Sequence, residues 1–274
     1  MPSAAQVRSS IATRLRRWSA LHGRLSRWPP VIVYQMAKVG STAVVDCLTR
    51  ARLPVFHVHR MDADHLQRLR ARRMALGWDV GPVPPYDRLG LLLNEKVLQA
   101  GRAAKIVTLV REPIARSLSS YFEHLDGIWR IPHASRVVPV GDLQRGFLER
   151  YPHDESLTWF DEELRPVTSM HVYDHPFPAT GHLRLESGPL DLLILKSELP
   201  NETKRLALSA FLGTPLPFFG EANRTAEKSH GEAYEQFRRS LRLPPEFVER
   251  MLDSRYCRHF YSAEEREALR LKYL

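Results

Sequence analysis

Residues 31–42 read VIVYQMAKVGST. Val31-Ile32-Val33 is a β-branched apolar run of the kind that fills a buried strand. Lys38, Gly40 and the pair Ser41-Thr42 follow, and then Ala43-Val44-Val45 opens a helical pattern that Leu53-Pro54 breaks. The spacing therefore predicts a strand over 31–35, a short loop and a helix from about Ser41 to Arg52. In an open α/β sheet the carboxyl ends of the strands hold the ligand. A helix starting there points free N–H groups and the positive end of its dipole at an anion. Gly40 lets backbone approach closely, Ser41 and Thr42 donate hydroxyl hydrogen bonds or cap the helix, and Lys38 adds a mobile cation. A capped helix beside a solvated lysine gives the same string, so the stretch alone indicates an anion at a helix start. The common ATP/GTP loop, G-x-x-x-x-G-K-[ST], runs in another order. Here Lys38 precedes Gly40 and no glycine opens the loop.

The pattern continues as alternating strands and helices. Val55 to His59 reads as a second strand, Lys105 to Val110 (KIVTLV) as a third, and Asp191 to Leu195 (DLLIL) as another. Helical spacing recurs over 62–76, 89–100, 114–124, 142–150, 157–164, 203–212, 231–241 and from Pro245 onward. The Gly/Pro stretch 77–85 separates two of these, and turn residues in 171–184 suggest a hairpin. No internal repeat is present. Strands alternating with helices predict an α/β three-layer sandwich around a central parallel sheet.

A second strand-to-helix junction reads TLVREPIARSLSSYFEHL, residues 108–125. Arg111 emerges at the strand end, where its planar fork suits a bidentate phosphate contact. Pro113 lies near the first helical turn, and Ser119 follows two turns along the helix, which also carries Arg116 and Ser120. An arginine paired on the surface with Glu112 or Glu123 is the plainer reading of this segment by itself.

Taken together, the two junctions resemble the PAPS-dependent sulfotransferases in residue type, spacing and order. In that family a loop like Lys38-Val39-Gly40-Ser41-Thr42 holds the 5′-phosphosulfate, and an Arg and a Ser eight residues apart, here Arg111 and Ser119, hold the 3′-phosphate. The segments FHVHRMD (56–62), TWFDEEL (158–164), DLLILKSEL (191–199), NRTAEKSHGEAYEQF (223–237) and CRHFYSAEE (257–265) are similar, more weakly, to bacterial sulfotransferase-like proteins grouped under capsular polysaccharide synthesis. The resemblance covers roughly residues 30–265. It implies a P-loop-like sulfotransferase fold, PAPS as donor without a metal, and a hydroxyl of a saccharide or polysaccharide as acceptor. It also implies that Lys38 neutralises the bridging oxygen and the 5′-phosphate, and that Lys228 reaches the 3′-phosphate from a late loop.

A general base must reach the acceptor hydroxyl. His57 and His59 share a side-chain direction because strand directions alternate with period two. His59 is nearer the carboxyl end and is the first candidate, with Glu95, His124 and Asp126 as rivals. The other enzymatic reading is a P-loop-type nucleotide or sugar kinase using Mg-ATP. It wants a lysine directly before Ser/Thr and a metal-binding Asp at a strand end, whereas the third strand ends in Val110-Arg111.

The chain has 274 residues and a formal net charge of +9. Arg8, Arg14, Arg16, Arg17, Arg24 and Arg27 sit in the first 30 residues with no acid among them. These residues form a basic helix or arm, 1–29, ahead of the domain expected over 30–274. The arm packs on the body, hangs loosely, or touches anionic lipid through its arginine face. A nucleic-acid partner is not expected, because the excess is concentrated in the arm rather than spread over the domain. Cys47 and Cys257 have no CxxC or metal-ligand spacing, and Cys47 falls in an apolar helical pattern. The absence of a long apolar run and of a signal-like N-terminus makes the cytoplasm the expected compartment.

Overall fold

The computed structural model describes residues 29–219 and 231–274. Five strands form one sheet in the order β2-β1-β3-β5-β4. They are β1 (Val31–Tyr34), β2 (Val55–Val58), β3 (Ala104–Val110), β4 (His182–Ser187) and β5 (Leu190–Lys196). β1 pairs in parallel with both β2 and β3, and β3 with β5, while β4 closes one edge antiparallel to β5. Successive side chains of a strand point to opposite faces. Every residue of β1, and all but Lys105 of β3 and Asp191 of β5, is buried. Both faces of the sheet centre are therefore covered, the arrangement of an α/β fold with a mostly parallel sheet.

The main helices are α1 (Ser41–Arg50), α2 (Ala63–Ala75), α3 (Pro85–Leu93), α4 (Pro113–Glu123), α5 (Val140–Arg150), α6 (Asn201–Leu212), α7 (Gly231–Ser240), α8 (Pro245–Leu252), α9 (Arg255–Phe260) and α10 (Ala263–Tyr273). α4 starts as its sequence suggests. Pro113 occupies the first turn, and the Glu112 carboxylate accepts from Ile114 N–H at 2.9 Å. α10 carries a complete capping box between Ser262 and Glu265. Cys47 and Cys257 are buried free thiols.

Several expectations change. The hairpin does not lie over 171–184. A short 3-10 turn, Val172–Asp174, occupies that region, and the hairpin is β4–β5, closed at Gly188 with φ 55. The edge strand alternates side chains toward and away from the interior, and this weak pattern hid it next to the stronger run 191–195. Helix α3 begins at Pro85, earlier than the apolar spacing implied, and passes into a π-turn at Asn94–Leu98. A second π-turn, Phe160–Leu164, replaces regular helix over 157–164. Among the described residues no helix is long and apolar enough to cross a membrane. The basic arm expected over 1–29 lies almost wholly outside the described residues.

The connectivity creates the crevice. From β1 the chain moves to one neighbour, β2, and β3 then joins the other side of β1. The segments leaving β1 and β3 thus part at the same end of the sheet, a topological switch point.

Candidate functional site

A cavity of about 610 Å³ opens at that switch point. Three strand ends supply one side: Ala37, Lys38 and Gly40 after β1, His57 and His59 at β2, and Arg111 after β3. Two helices supply much of the rest. α4 turns Arg116, Ser119, Ser120 and Glu123 toward it, and α2 turns Leu66, Leu69, Arg70 and Arg73. Both sets are spaced i, i+3, i+4, i+7, one face of an α-helix. The opposite face of α4, with Ile114, Leu118 and Tyr121, is in the core.

Backbone strain marks the loop. Lys38 has φ 71 and Gly40 φ 83, both left-handed. Gly40 is the N-cap of α1 and lends it no side-chain cap, so the first-turn N–H groups of α1 are available to an outside acceptor. Two arginines hold the loop from the neighbouring junction. Arg111 Nη1 donates to the Lys38 carbonyl at 2.9 Å, and Arg116 Nε donates to the Ala37 carbonyl at 3.1 Å. Arg116 is 2% exposed and also donates to Tyr151 OH at 2.9 Å. The junction after β3 therefore clamps the loop after β1 through its carbonyls. Tyr256 OH braces Arg111 in turn, accepting from its N–H at 3.1 Å and donating to its carbonyl at 2.9 Å.

The side chain of Lys38 reaches across to Glu123, Nζ to Oε2 2.9 Å. Glu123, a candidate partner for Arg111 from the sequence, forms its ion pair with Lys38. Ser41 Oγ lies 3.1 Å from His57 Nε2, and Gln35 Nε2 lies 3.3 Å from the same nitrogen. His59 Nδ1 is 3.1 Å from the Gln35 carbonyl. A carbonyl only accepts, so Nδ1 carries the proton and the Nε2 lone pair is left for another donor. Burial pushes the His59 pKa down to about 3, helped by His57 and by the Arg60 charge. Burial also lowers His57. Both rings are neutral at pH 7. The His59 ring meets that of Tyr86 edge-on at 4.8 Å, and that of His57 at 4.9 Å.

Behind the histidines, buried Glu163 locks the ends of β1 and β2 together. It accepts from Tyr34 OH at 2.6 Å, Met61 N–H at 2.5 Å and Asp62 N–H at 3.0 Å, and bonds His65 Nδ1. Burial raises the Tyr34 phenol well above its ordinary value, and the Glu163 charge raises it further. In the acidic run Asp161-Glu162-Glu163 the third member is fully buried.

Of the residues singled out from the sequence, Lys38, Gly40, Ser41, Thr42, His59, Arg111 and Ser119 line this one cavity. Val39 is fully buried and supports the loop from beneath. Lys228 lies outside the described residues. Two rivals for the base point elsewhere: Glu95 is exposed beside Lys96, and Asp126 accepts from the N–H groups of His133 and Ala134. His124 lines the cavity rather than facing solvent. Its Nδ1 bonds the Ser120 carbonyl at 2.8 Å, and burial drives its pKa down to about 4, with the Arg73 charge adding to the effect. Sequence reasoning missed Arg60, Arg70, Arg73, Trp78, Tyr86 and Asp87, and gave Arg116 no role. For Arg116 the i, i+3, i+4, i+7 spacing of polar side chains on α4 was the available signal.

Compared with protein-family models, curated proteins and solved structures, the chain has no match in any of the three.

Proposed function

We propose that the protein is a sulfotransferase of the P-loop-like sulfotransferase fold, which moves a sulfonate group from PAPS to a hydroxyl of a saccharide or polysaccharide. One observation carries this reading: an uncapped helix start behind a Lys-Gly-Ser-Thr loop and the Arg111/Ser119 face open into a single cavity. Two anion-binding surfaces in one cavity suit a donor with phosphate groups at both ends of its ribose.

The residues fit such a donor. The N–H groups at Gly40, Ser41 and Thr42 and the ammonium of Lys38 take the 5′ end, where charge builds on the leaving oxygen. Arg111 spends one N–H on the Lys38 carbonyl and keeps its others for the 3′-phosphate, with Ser119 adding a hydroxyl. PAPS supplies the activated sulfonate. His59, fixed with Nε2 unprotonated, accepts the proton of the acceptor hydroxyl. The low pKa of His59 comes chiefly from burial, with His57 and the Arg60 charge adding to it. A polyanion beside Arg60 offsets that smaller, charge-derived part and raises the proton affinity of the ring.

A thermal-shift comparison of adenosine 3′,5′-bisphosphate with Mg-ATP tests the reading. Ligand at a hundred times its Kd stabilises by about 2.7 kcal/mol, a rise of roughly 5 °C or more. Such a rise with the bisphosphate and none with Mg-ATP is expected. A rise with Mg-ATP alone overturns the proposal in favour of phosphoryl transfer.

A further inference from the structure

The cavity is longer than the two anion-binding surfaces, and its far end has a different character. There Arg60, Arg70 and Arg73 stand with Trp78, Tyr86 and Asp87. The three arginines are not equivalent. Arg73 is neutralised by Glu155, a buried carboxylate that it grips through Nε at 3.0 Å and Nη2 at 2.6 Å. Burial pushes the Glu155 pKa up, but the Arg73 charge and hydrogen bonds outweigh it and hold it below the ordinary carboxylate range. Arg60 faces Asp87 at 3.9 Å, too far for a hydrogen bond. Arg70 is held by carbonyls alone, those of Gly81 at 2.7 Å and Val80 at 3.4 Å, and no carboxylate among the described residues pairs with it.

The far end therefore carries one positive charge, that of Arg70, which no carboxylate pairs with among the described residues, while Arg60 is balanced by Asp87. The Arg70 fork is also fixed by the backbone of the loop after α2, so little ordering entropy is lost when it binds. In a partly enclosed cleft such charge attracts an anion more strongly than on an open surface. Tyr86, 42% exposed, offers a ring face beside His59. An aromatic face next to the proposed base, with unspent guanidinium charge in the same chamber, matches a sugar ring that bears an acidic group.

Resting on the sulfotransferase reading above, we propose that this end of the cavity is the acceptor subsite and that it selects an acidic saccharide, with Arg70 holding the carboxylate or sulfate of the sugar. A neutral sugar leaves the Arg70 charge without an anionic partner and is the poorer acceptor.

The test uses a uronic-acid-containing tetrasaccharide and its carboxyl-reduced counterpart, in which a neutral hydroxymethyl group replaces each carboxylate. Binding to the full chain is measured by calorimetry with adenosine 3′,5′-bisphosphate saturating, so that the acid cannot occupy the donor end. The acidic form is expected to bind at least about tenfold tighter, and Arg70→Gln to remove about that factor. Arg238→Gln deletes the same charge on the exposed surface of α7, where Arg238 pairs with Glu235, and is expected to change nothing. Equal affinity for the two sugars, no binding of either, or a preference that survives Arg70→Gln overturns the assignment. If the bisphosphate fails to bind while the Arg70-dependent preference persists, the donor reading falls and the acidic subsite stands.

Discussion

Lys38 Nζ lies 2.9 Å from Glu123 Oε2, so the cation that opens the loop after β1 is held by the last residue of α4. Both side chains line the cavity. An incoming phosphate must compete with Glu123 for Lys38. The pair is partly exposed, with side chains 17% and 43% accessible, so the competition is modest. Glu123→Gln is expected to tighten adenosine 3′,5′-bisphosphate binding by about 1.4- to fivefold, the equivalent of the 0.2–1 kcal/mol typical of such pairs. Calorimetry reads this directly, and unchanged or weaker binding would show that the pair does not oppose the ligand.

Lys38 and Arg111 are expected to separate on substitution. Lys38→Ala removes charge where the leaving group develops its own, and should lower kcat by about 10²–10³-fold. Arg111→Ala removes a charged hydrogen-bond donor worth about 1.5–3 kcal/mol and loosens the loop it clamps, and should act mainly on donor KM. Steady-state kinetics with labelled donor distinguish the two. Normal transfer by both variants would remove these residues from the site.

Gly90 sits where α3 crosses the segment after β2. A Cβ there would lie 1.9 Å from the Arg60 carbonyl, a backbone atom that cannot swing aside. Gly90→Ala should therefore cost about 1–3 kcal/mol by overpacking and displace Arg60 from the cavity rim. Denaturant unfolding measures the cost; a variant as stable as the parent would mean that α3 shifts freely.

Acid should destabilise the fold between about pH 6.5 and 4. His59, His124 and His153 are held neutral, at about 3, 4 and 4, chiefly by burial. In that window the unfolded chain binds more protons than the native one, so stability rises with pH. Each such histidine contributes at most about 1.4 kcal/mol per pH unit. The melting temperature should fall on acidification from pH 7 to 5, and His153→Phe should flatten the fall. A flat or rising profile would contradict the assignment of neutral buried rings.

The α/β class and the two strand-to-helix junctions were legible because period-two and period-3.6 patterns are local. The β-branched run 31–33, the loop glycine and the Ser-Thr pair declare a strand, a turn and a helix start within a dozen residues. The far end of the cavity was not legible. On α2, Leu66 and Leu69 share a face with Arg70 and Arg73, a mixture that reads as an ordinary amphipathic boundary. Glu163 sits in an acidic run and gave no sign of being buried against Tyr34. Both depend on contacts across 98 residues or more in the case of Glu163, with His65 and Tyr34, and no local pattern encodes such distances.

The sequence by itself determined the α/β class of the fold and the position of the two strand-to-helix junctions. These follow from side-chain periodicity and backbone preference, which act over a few residues. Only the tertiary structure decided that the two junctions share one cavity, that Arg111 and Arg116 clamp the loop of the other junction, and that Lys38 is held by Glu123. The parallel sheet brings the ends of β1, β2 and β3 to one rim, and hydrogen bonds across that rim form only once the strands have paired.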